Sequence, residues 1–322
     1  MSGSRASAGR VGGPFPVRVE DIAPLNAIFS EAFSERYRRD GMAGVRVPPL
    51  NPAIWRFAIE SAGDGAMLWR DAAGEIAAFN FAHVLGAEGW MGPLAVREDL
   101  QAQRLGHRIV EAGVAWLKQA GCTTIGLETM PRTMDNIGFY ASMGFVPAPL
   151  TITVTMDAVS APPPRLLGHC GGGEREAVLR DCAALLAAVR PGADYTRELQ
   201  LTLRHGLGDV VLHAADDGRL RGFALYHEVP LVEGRSREEL RVLKLVVDDA
   251  RELPALMQLV RAQARRSGTL RAALRLQGEY PDALRALVAH GARVRWTDLR
   301  MTLSGYAEVP ARDGLALSNW EI

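Results

Sequence analysis

Cysteine is scarce in this chain. Three residues, Cys122, Cys170 and Cys182, are odd in number and lack metal-ligand spacing, which argues against a disulfide framework and against a metal site. A reducing compartment, the cytoplasm, is the expectation. No apolar run reaches the length needed to cross a bilayer, so a membrane role is not expected either. Charge of one sign is also missing, because Lys+Arg 37 balance Asp+Glu 37 over 322 residues, and no global field recruits nucleic acid or anionic lipid. The opening MSGSRASAGRVGG has no apolar signal core and reads as a disordered tail through residue 14. What is present is ordinary for a globular protein, 48% hydrophobic and 23% charged, and the length fits two domains of average size. A small-molecule or peptide substrate fits this composition better than a polyanion.

The most structured stretch runs over residues 90–145. An apolar run ends in Leu94-Ala95-Val96, short enough for a strand, and Gly92-Pro93 within it predicts a bulge because proline cannot donate to a ladder. Next comes Gln101-Ala102-Gln103-Arg104-Leu105-Gly106, then apolar positions Leu105, Ile109, Ala112, Gly113, Trp116 and Leu117 at helical spacing. A turn opening into a helix offers unpaired amides and a positive dipole end, which suits a phosphate. A strand over 123–129 and a helix around Tyr140 follow.

In its order of elements, and in LETMPRTMDNIGFYASMGF at 127–145, this stretch resembles the GNAT superfamily of acyl-CoA N-acyltransferases, whose turn reads Q/R-x-x-G-x-G/A. Gln101 and Gly106 match; Arg104 stands where the first glycine is usual, and Thr133 at a position usually held by Asn. The resemblance implies an α/β (α+β) fold with a mixed, mostly antiparallel sheet, a splayed central strand and flanking helices. It also implies acetyl-CoA as co-substrate and a small-molecule or peptide amine as acceptor. By the same resemblance Leu94, Ala95 and Val96 would bind the pantetheine arm through their backbone. Gln101, Ala102, Gln103, Arg104, Leu105, Gly106 and His107 would cradle the pyrophosphate, with Thr133 nearby, and Tyr140 would protonate the departing thiolate as general acid. For the base, Glu128, Glu88 and His83 are candidates, and none stands out. A non-catalytic acyl-CoA-binding or partner-binding module is the alternative. Arg104 sets a physical question, since a left-handed turn residue there strains anything but glycine, whereas its guanidinium suits a phosphate.

Towards the N-terminus, Val17-Arg-Val19 reads as a first strand and the residues after Asp21 as a helix. Residues 34–52, rich in Arg and containing Gly and Pro, read as a charged, solvated loop. Ala161-Pro-Pro-Pro164 and Gly171-Gly-Gly173 mark a linker over 159–173, separating a catalytic domain over 15–158 from a second domain over 174–309 and a tail over 310–322. The second domain echoes the first. Setting Gly218 on Gly74 places Leu212 on Leu68, Leu220 on Ile76, Phe223 on Phe79 and His227 on His83 without a gap. Where the phosphate turn should recur there stands Asp248-Asp-Ala-Arg-Glu-Leu-Pro254, with no glycine for close approach and two carboxylates to repel a phosphate. Leu287 replaces the tyrosine. The expectation is a tandem protein with a degenerate second copy.

Overall fold

The computed structural model describes residues 11–101 and 104–319. The first half of the chain forms β1 (Gly12–Pro16), α1 (Ile22–Arg39), α2 (Pro52–Ala62), β2 (Ala66–Arg70), β3 (Ile76–Leu85), β4 (Glu88–Val96), α3 (Leu105–Gln119), β5 (Thr124–Thr129), α4 (Met134–Ser142) and β6 (Phe145–Asp157). The second half forms β7 (Arg165–Leu166), α5 (Gly172–Val189), α6 (Thr196–His205), β8 (Gly208–Ala214), β9 (Leu220–His227), β10 (Glu239–Val247), α7 (Leu253–Arg266), β11 (Arg271–Gln277), α8 (Pro281–Ala289), β12 (Arg293–Leu303) and β13 (Leu315–Ser318).

The internal repeat is visible atom by atom in the two hairpins. Gly74 and Gly218 both sit at φ 85°, the left-handed conformation that glycine adopts without a Cβ clash. Asp71 N–H donates to Glu75 O and Gly74 N–H to Asp71 O; Ala215 N–H donates to Arg219 O and Gly218 N–H to Ala215 O in the same way. The paired histidines match too. His83 contacts Ser61 on α2, and His227 contacts Thr202 on α6 at 2.9 Å. The two helices pack on each other, with Phe57 of α2 edge-on to His205 of α6 at 6.4 Å and to the His227 ring of β9 at 4.9 Å.

The halves do not form separate sheets. The strands run in one order, β1-β2-β3-β4-β5-β12-β6-β11-β10-β9-β8-β7, with β13 pairing β10 off this path. Each half has given a strand to the other, β6 from the first and β12 from the second. β12 pairs β5, from Leu299 opposite Thr129 to Thr302 opposite Gly126. β6 pairs β11, from Arg271 opposite Asp157 to Gln277 opposite Thr151. The exchanged strands also pair with each other in the middle. The domain expected over 15–158 is therefore not a closed lobe, because its last strand, β6, completes the sheet of the second half.

Several local expectations change with the structure. The first strand is Gly12–Pro16 and not residues 17–19, so ordered chain begins inside the stretch read as a tail; residues 1–10 lie outside the described residues. Helix α1 runs on through Arg39, since Glu35 pairs with Arg38 at i,i+3 and Arg39 at i,i+4, and these pairs support a helix where the arginines alone suggested a loop. Part of the proline-rich linker is strand β7, and β13 lies within the expected C-terminal tail.

A band of charge is buried where the halves meet. Glu128 on β5 pairs with Arg275 on β11 and with Arg300 on β12 at 2.9 Å, and accepts from Thr151 Oγ1 on β6. Arg300 also pairs with Glu308 at 2.6 Å, and Arg190 reaches Glu308 at 3.0 Å and Glu88 at 3.3 Å. Charges this deep persist only when paired and hydrogen-bonded, and the pairs of Glu128 with Arg275 and Arg300 and of Glu88 with Arg190 cross from one half to the other.

Candidate active site

The site is built on β4. Its register with β3 shifts between Asn80 opposite Leu94 and Ala82 opposite Met91, which places Gly92 and Pro93 in the bulge that the sequence predicts. On the other edge β4 pairs with β5 only from Glu88 opposite Thr124 to Met91 opposite Leu127. Beyond Met91 the two strands diverge, and residues 94–96 have no strand on that edge among the described residues. A row of backbone groups then faces a gap, as extended ligands require. The side chains divide by face. Leu94 and Val96 pack with Leu105, Ile109, Leu127 and Tyr140, whereas Ala95 points to the opposite core, with Phe29, Trp55 and Phe79.

The N-terminus of α3 stands at the end of this strand. Arg104 is its cap residue at φ 60°, ψ 9°, so the turn keeps the left-handed geometry usual for glycine and accepts the strain of a side chain, about 1 to 2 kcal/mol. No acidic residue stands in the first turn of α3 to compete for its amides. Gln101 is held by its own contacts: its Nε2 donates to Val96 O at 3.2 Å and its Oε1 accepts from Arg39 at 3.3 Å. Gly106 and His107 meet α4. A Cβ on Gly106 would lie 3.3 Å from Phe139 Cζ, and the His107 ring stands edge-on to Phe139 at 4.9 Å. Ala102 and Gln103 lie outside the described residues.

Tyr140 is buried on α4, its ring 5.1 Å from Phe139 and 6.0 Å from Phe145, and burial pushes its phenol well above the usual value. A phenol in that state keeps its proton at neutral pH, as a donor must. Thr133 is buried at the start of α4 and donates through Oγ1 to Asp40, whose carboxylate Arg36 holds at 2.6 Å. Its hydroxyl thus ties α4 to the end of α1.

Each candidate base is engaged. Burial alone would raise the Glu128 carboxyl, but the flanking Arg275 and Arg300 outweigh it and hold it below the usual range. Glu88 is pushed up by burial and sits opposite Thr124, at the end of the β4–β5 ladder farthest from the gap. His83 lies next to the bulge, with Nε2 3.3 Å from Gly92 O and Nδ1 3.4 Å from Ser61 Oγ, and burial followed by the nearby Lys244 lowers it to about 4. It is neutral at pH 7 with both nitrogens occupied.

Three contributors escaped the sequence reading. Arg39 brings a cation to Gln101 at the rim of the turn before α3, Asp40 anchors Thr133, and Phe139 backs Gly106. The first two carried a signal in the i,i+4 spacing of Glu35 to Arg39 and Arg36 to Asp40; Phe139 showed nothing beyond its place beside Tyr140. A cleft of about 370 Å³ opens between α1 and the segment after β4, lined by Ile28, Glu31, Ala32, Arg97, Glu98 and Asp99. Its lining includes none of the candidate residues. Among the described residues no group of three or more His, Cys, Asp or Glu is placed to hold a metal ion, and no helix is long and apolar enough to cross a membrane.

The second copy differs at each of these points. Asp248 pairs with Arg221 at 3.0 Å, and Asp249 turns its carboxylate onto Arg251, accepting from its backbone N–H at 2.9 Å, so the region before α7 is spent on internal contacts. Leu287 is buried in the core.

Residues 26–145 match the model of the acetyltransferase (GNAT) family. No curated protein matches the chain. Among solved structures, a GCN5-related N-acetyltransferase from Sphaerobacter thermophilus is similar at 14% identity and TM-score 0.58, over 94% of this chain and 97% of that one. A tandem GNAT protein from the clavulanic acid biosynthesis pathway is similar at 12% identity and TM-score 0.60, over 91% and 98%. N-myristoyltransferase of Saccharomyces cerevisiae, solved with bound myristoyl-CoA, is similar at 11% identity and TM-score 0.62, over 95% and 80%. At such identities the likeness is one of fold. Residues 26–145 are thus similar to the acetyltransferase (GNAT) family, and the two halves together have the fold of two fused GNAT lobes.

Proposed function

We propose that the protein is an N-acetyltransferase that moves an acetyl group from acetyl-CoA to an amine acceptor, using one site in the first lobe. The observation that carries this reading is the divergence of β4 from β5 after Met91, which opens an unpaired strand edge between the α3 N-terminus and Tyr140. The backbone of residues 94–96 would hold the pantetheine arm by hydrogen bonds. The first-turn amides of α3, with Arg104 and Arg39 at the rim, would face the pyrophosphate. Bound acetyl-CoA supplies the activated acyl carbon. The acceptor nitrogen attacks it directly, and the Tyr140 hydroxyl gives its proton to the leaving sulfur. With His83, Glu88 and Glu128 all engaged, the acceptor loses its proton to water.

That same engagement favours one rival, a module that binds acyl-CoA without turning it over. A thiol-release assay with acetyl-CoA and a panel of amines separates the two. Acceptor-dependent release of free thiol supports the transferase; tight binding with no release for any amine supports the module.

A further inference from the structure

β10 has two edges. β9 pairs along one of them, from Arg241 to Val247. The other is shared: residues Glu239 to Val242 pair in parallel with Arg271 to Leu274 of β11, and Lys244 to Val247 pair antiparallel with Ser318 to Leu315 of β13. The changeover falls at Leu243, the residue that the ladder to β9 skips. In the first lobe β4 leaves β5 at the corresponding place, after Met91 and at the bulge beside Gly92. The two clefts follow one plan. One is open among the described residues, and the other contains β13.

β13 is buried along its whole length, with β10 as its one strand partner among the described residues. Leu315 and Leu317 join the core around Leu245, Val247 and Leu256, Ala316 joins the core under α5, and all four residues are buried. Its exit is fixed from three elements. Asn319 N–H donates to Leu243 O at 2.7 Å, Lys244 Nζ donates to Asn319 O at 2.8 Å, and Gln277 Nε2 donates to Ser318 O at 2.9 Å. Arg300, which holds Glu128, also reaches Ser318 Oγ at 3.1 Å.

We propose that the upper half of the β10 edge is a strand-binding groove whose resident ligand is the chain's own segment 315–319, and that this segment occupies the place of a cofactor arm and closes the second lobe to acyl-CoA. Strand addition supplies affinity through main-chain hydrogen bonds and specificity through alternate side-chain pockets, and β13 has both. Its tether through residues 304–314 keeps the local concentration high, so a diffusible ligand competes at a disadvantage. The comparison of clefts rests on the acyl-CoA reading of the first lobe, but the groove itself does not.

The test uses the full chain with a protease recognition sequence inserted between Arg312 and Asp313, both exposed. After cleavage, fragment 313–322 should stay with the body of the protein on gel filtration, and a labelled peptide of the same sequence should exchange into the groove. A Leu317→Asp peptide should compete about 100-fold more weakly, since it would place a carboxylate in the apolar pocket. Saturating acetyl-CoA should displace neither. Loss of the fragment from a body that keeps its circular dichroism, displacement by acetyl-CoA, or equal competition by the Asp peptide would overturn the proposal. Hydrogen exchange on the uncleaved chain covers the case in which cleavage unfolds it: amides 315–318 should stay protected as acetyl-CoA saturates, and loss of protection would overturn it. Failure of the acetyltransferase reading shows instead as no thiol release, which leaves the peptide result standing.

Discussion

The guanidinium of Arg300 lies 3.8 Å from the centre of the Trp90 ring, so a side chain from the second half of the sequence covers the strand on which the first half builds its site. Arg300 reaches that position because β12 has crossed into the first lobe to pair with β5. The lobes are joined by exchanged strands and buried charge as well as by the connecting chain. They should act as one folding unit.

Arg300→Ala removes one of two arginine partners from both Glu128 and Glu308, leaving Arg275 and Arg190 alone to compensate two nearly buried carboxylates. Breaking buried pairs from one side costs about 3 to 5 kcal/mol. Urea unfolding should show a loss of that order with a single transition for both halves. A loss below about 1 kcal/mol, or two resolved transitions, would show that the exchanged strands do not couple the lobes.

His83 links stability to pH. Its imidazole ordinarily titrates near 6.5 and is lowered to about 4 in the fold. Above pH 6.5 both folded and unfolded chains hold it neutral; as pH falls from 6.5 towards 4 only the unfolded chain takes up the proton, so stability falls over that window. The full linkage is about 3 kcal/mol, and the partial exposure of the residue trims it to roughly 1 to 2 kcal/mol. Comparison with His83→Gln isolates this contribution from those of the carboxylates. The difference between the two proteins should change by that amount between pH 7 and pH 4, with the wild type losing more, and a constant difference would count against a buried neutral imidazole.

Tyr140→Phe keeps the ring and its packing against Phe139 and Phe145 but removes the proton. If acid catalysis limits the rate, kcat should fall on the order of 10²-fold with acetyl-CoA affinity little changed. Unaltered turnover in a folded variant would exclude Tyr140 as the acid.

Gly106 separates packing from cofactor approach. Gly106→Leu would run into Phe139, so that a loss of acetyl-CoA affinity in this variant alone is ambiguous. Adding Phe139→Ala relieves the contact. The double variant should regain stability yet stay weak for acetyl-CoA, because the side chain still blocks the helix amides. Recovery of affinity in calorimetry would mean that Gly106 matters only for its fit against Phe139.

Legibility followed local physics. The Gly74 and Gly218 turns, the bulge at Gly92-Pro93 and the helical face through Leu105, Ile109, Gly113 and Leu117 are set by backbone conformation and periodicity, and the sequence carries them openly. Arg104 was legible as a question, and its φ of 60° supplies the answer. Strand exchange was not legible, because an apolar pattern over 150–156 marks a strand without naming its neighbour. β13 was lost for brevity: four residues offer too little alternation to stand out from a tail. The roles of Thr133 and Glu128 depend on Asp40, Arg275 and Arg300, partners 93, 147 and 172 residues distant, which no local pattern reveals.

The measurement that bears most directly on the account is calorimetric titration of the intact protein with acetyl-CoA, since it tests one open cleft against one filled cleft in a single experiment. Saturation at one equivalent per chain is the expected result, with binding lost in Gly106→Leu/Phe139→Ala and unchanged in Leu287→Tyr. Two equivalents at saturation, or no binding at all, would contradict it.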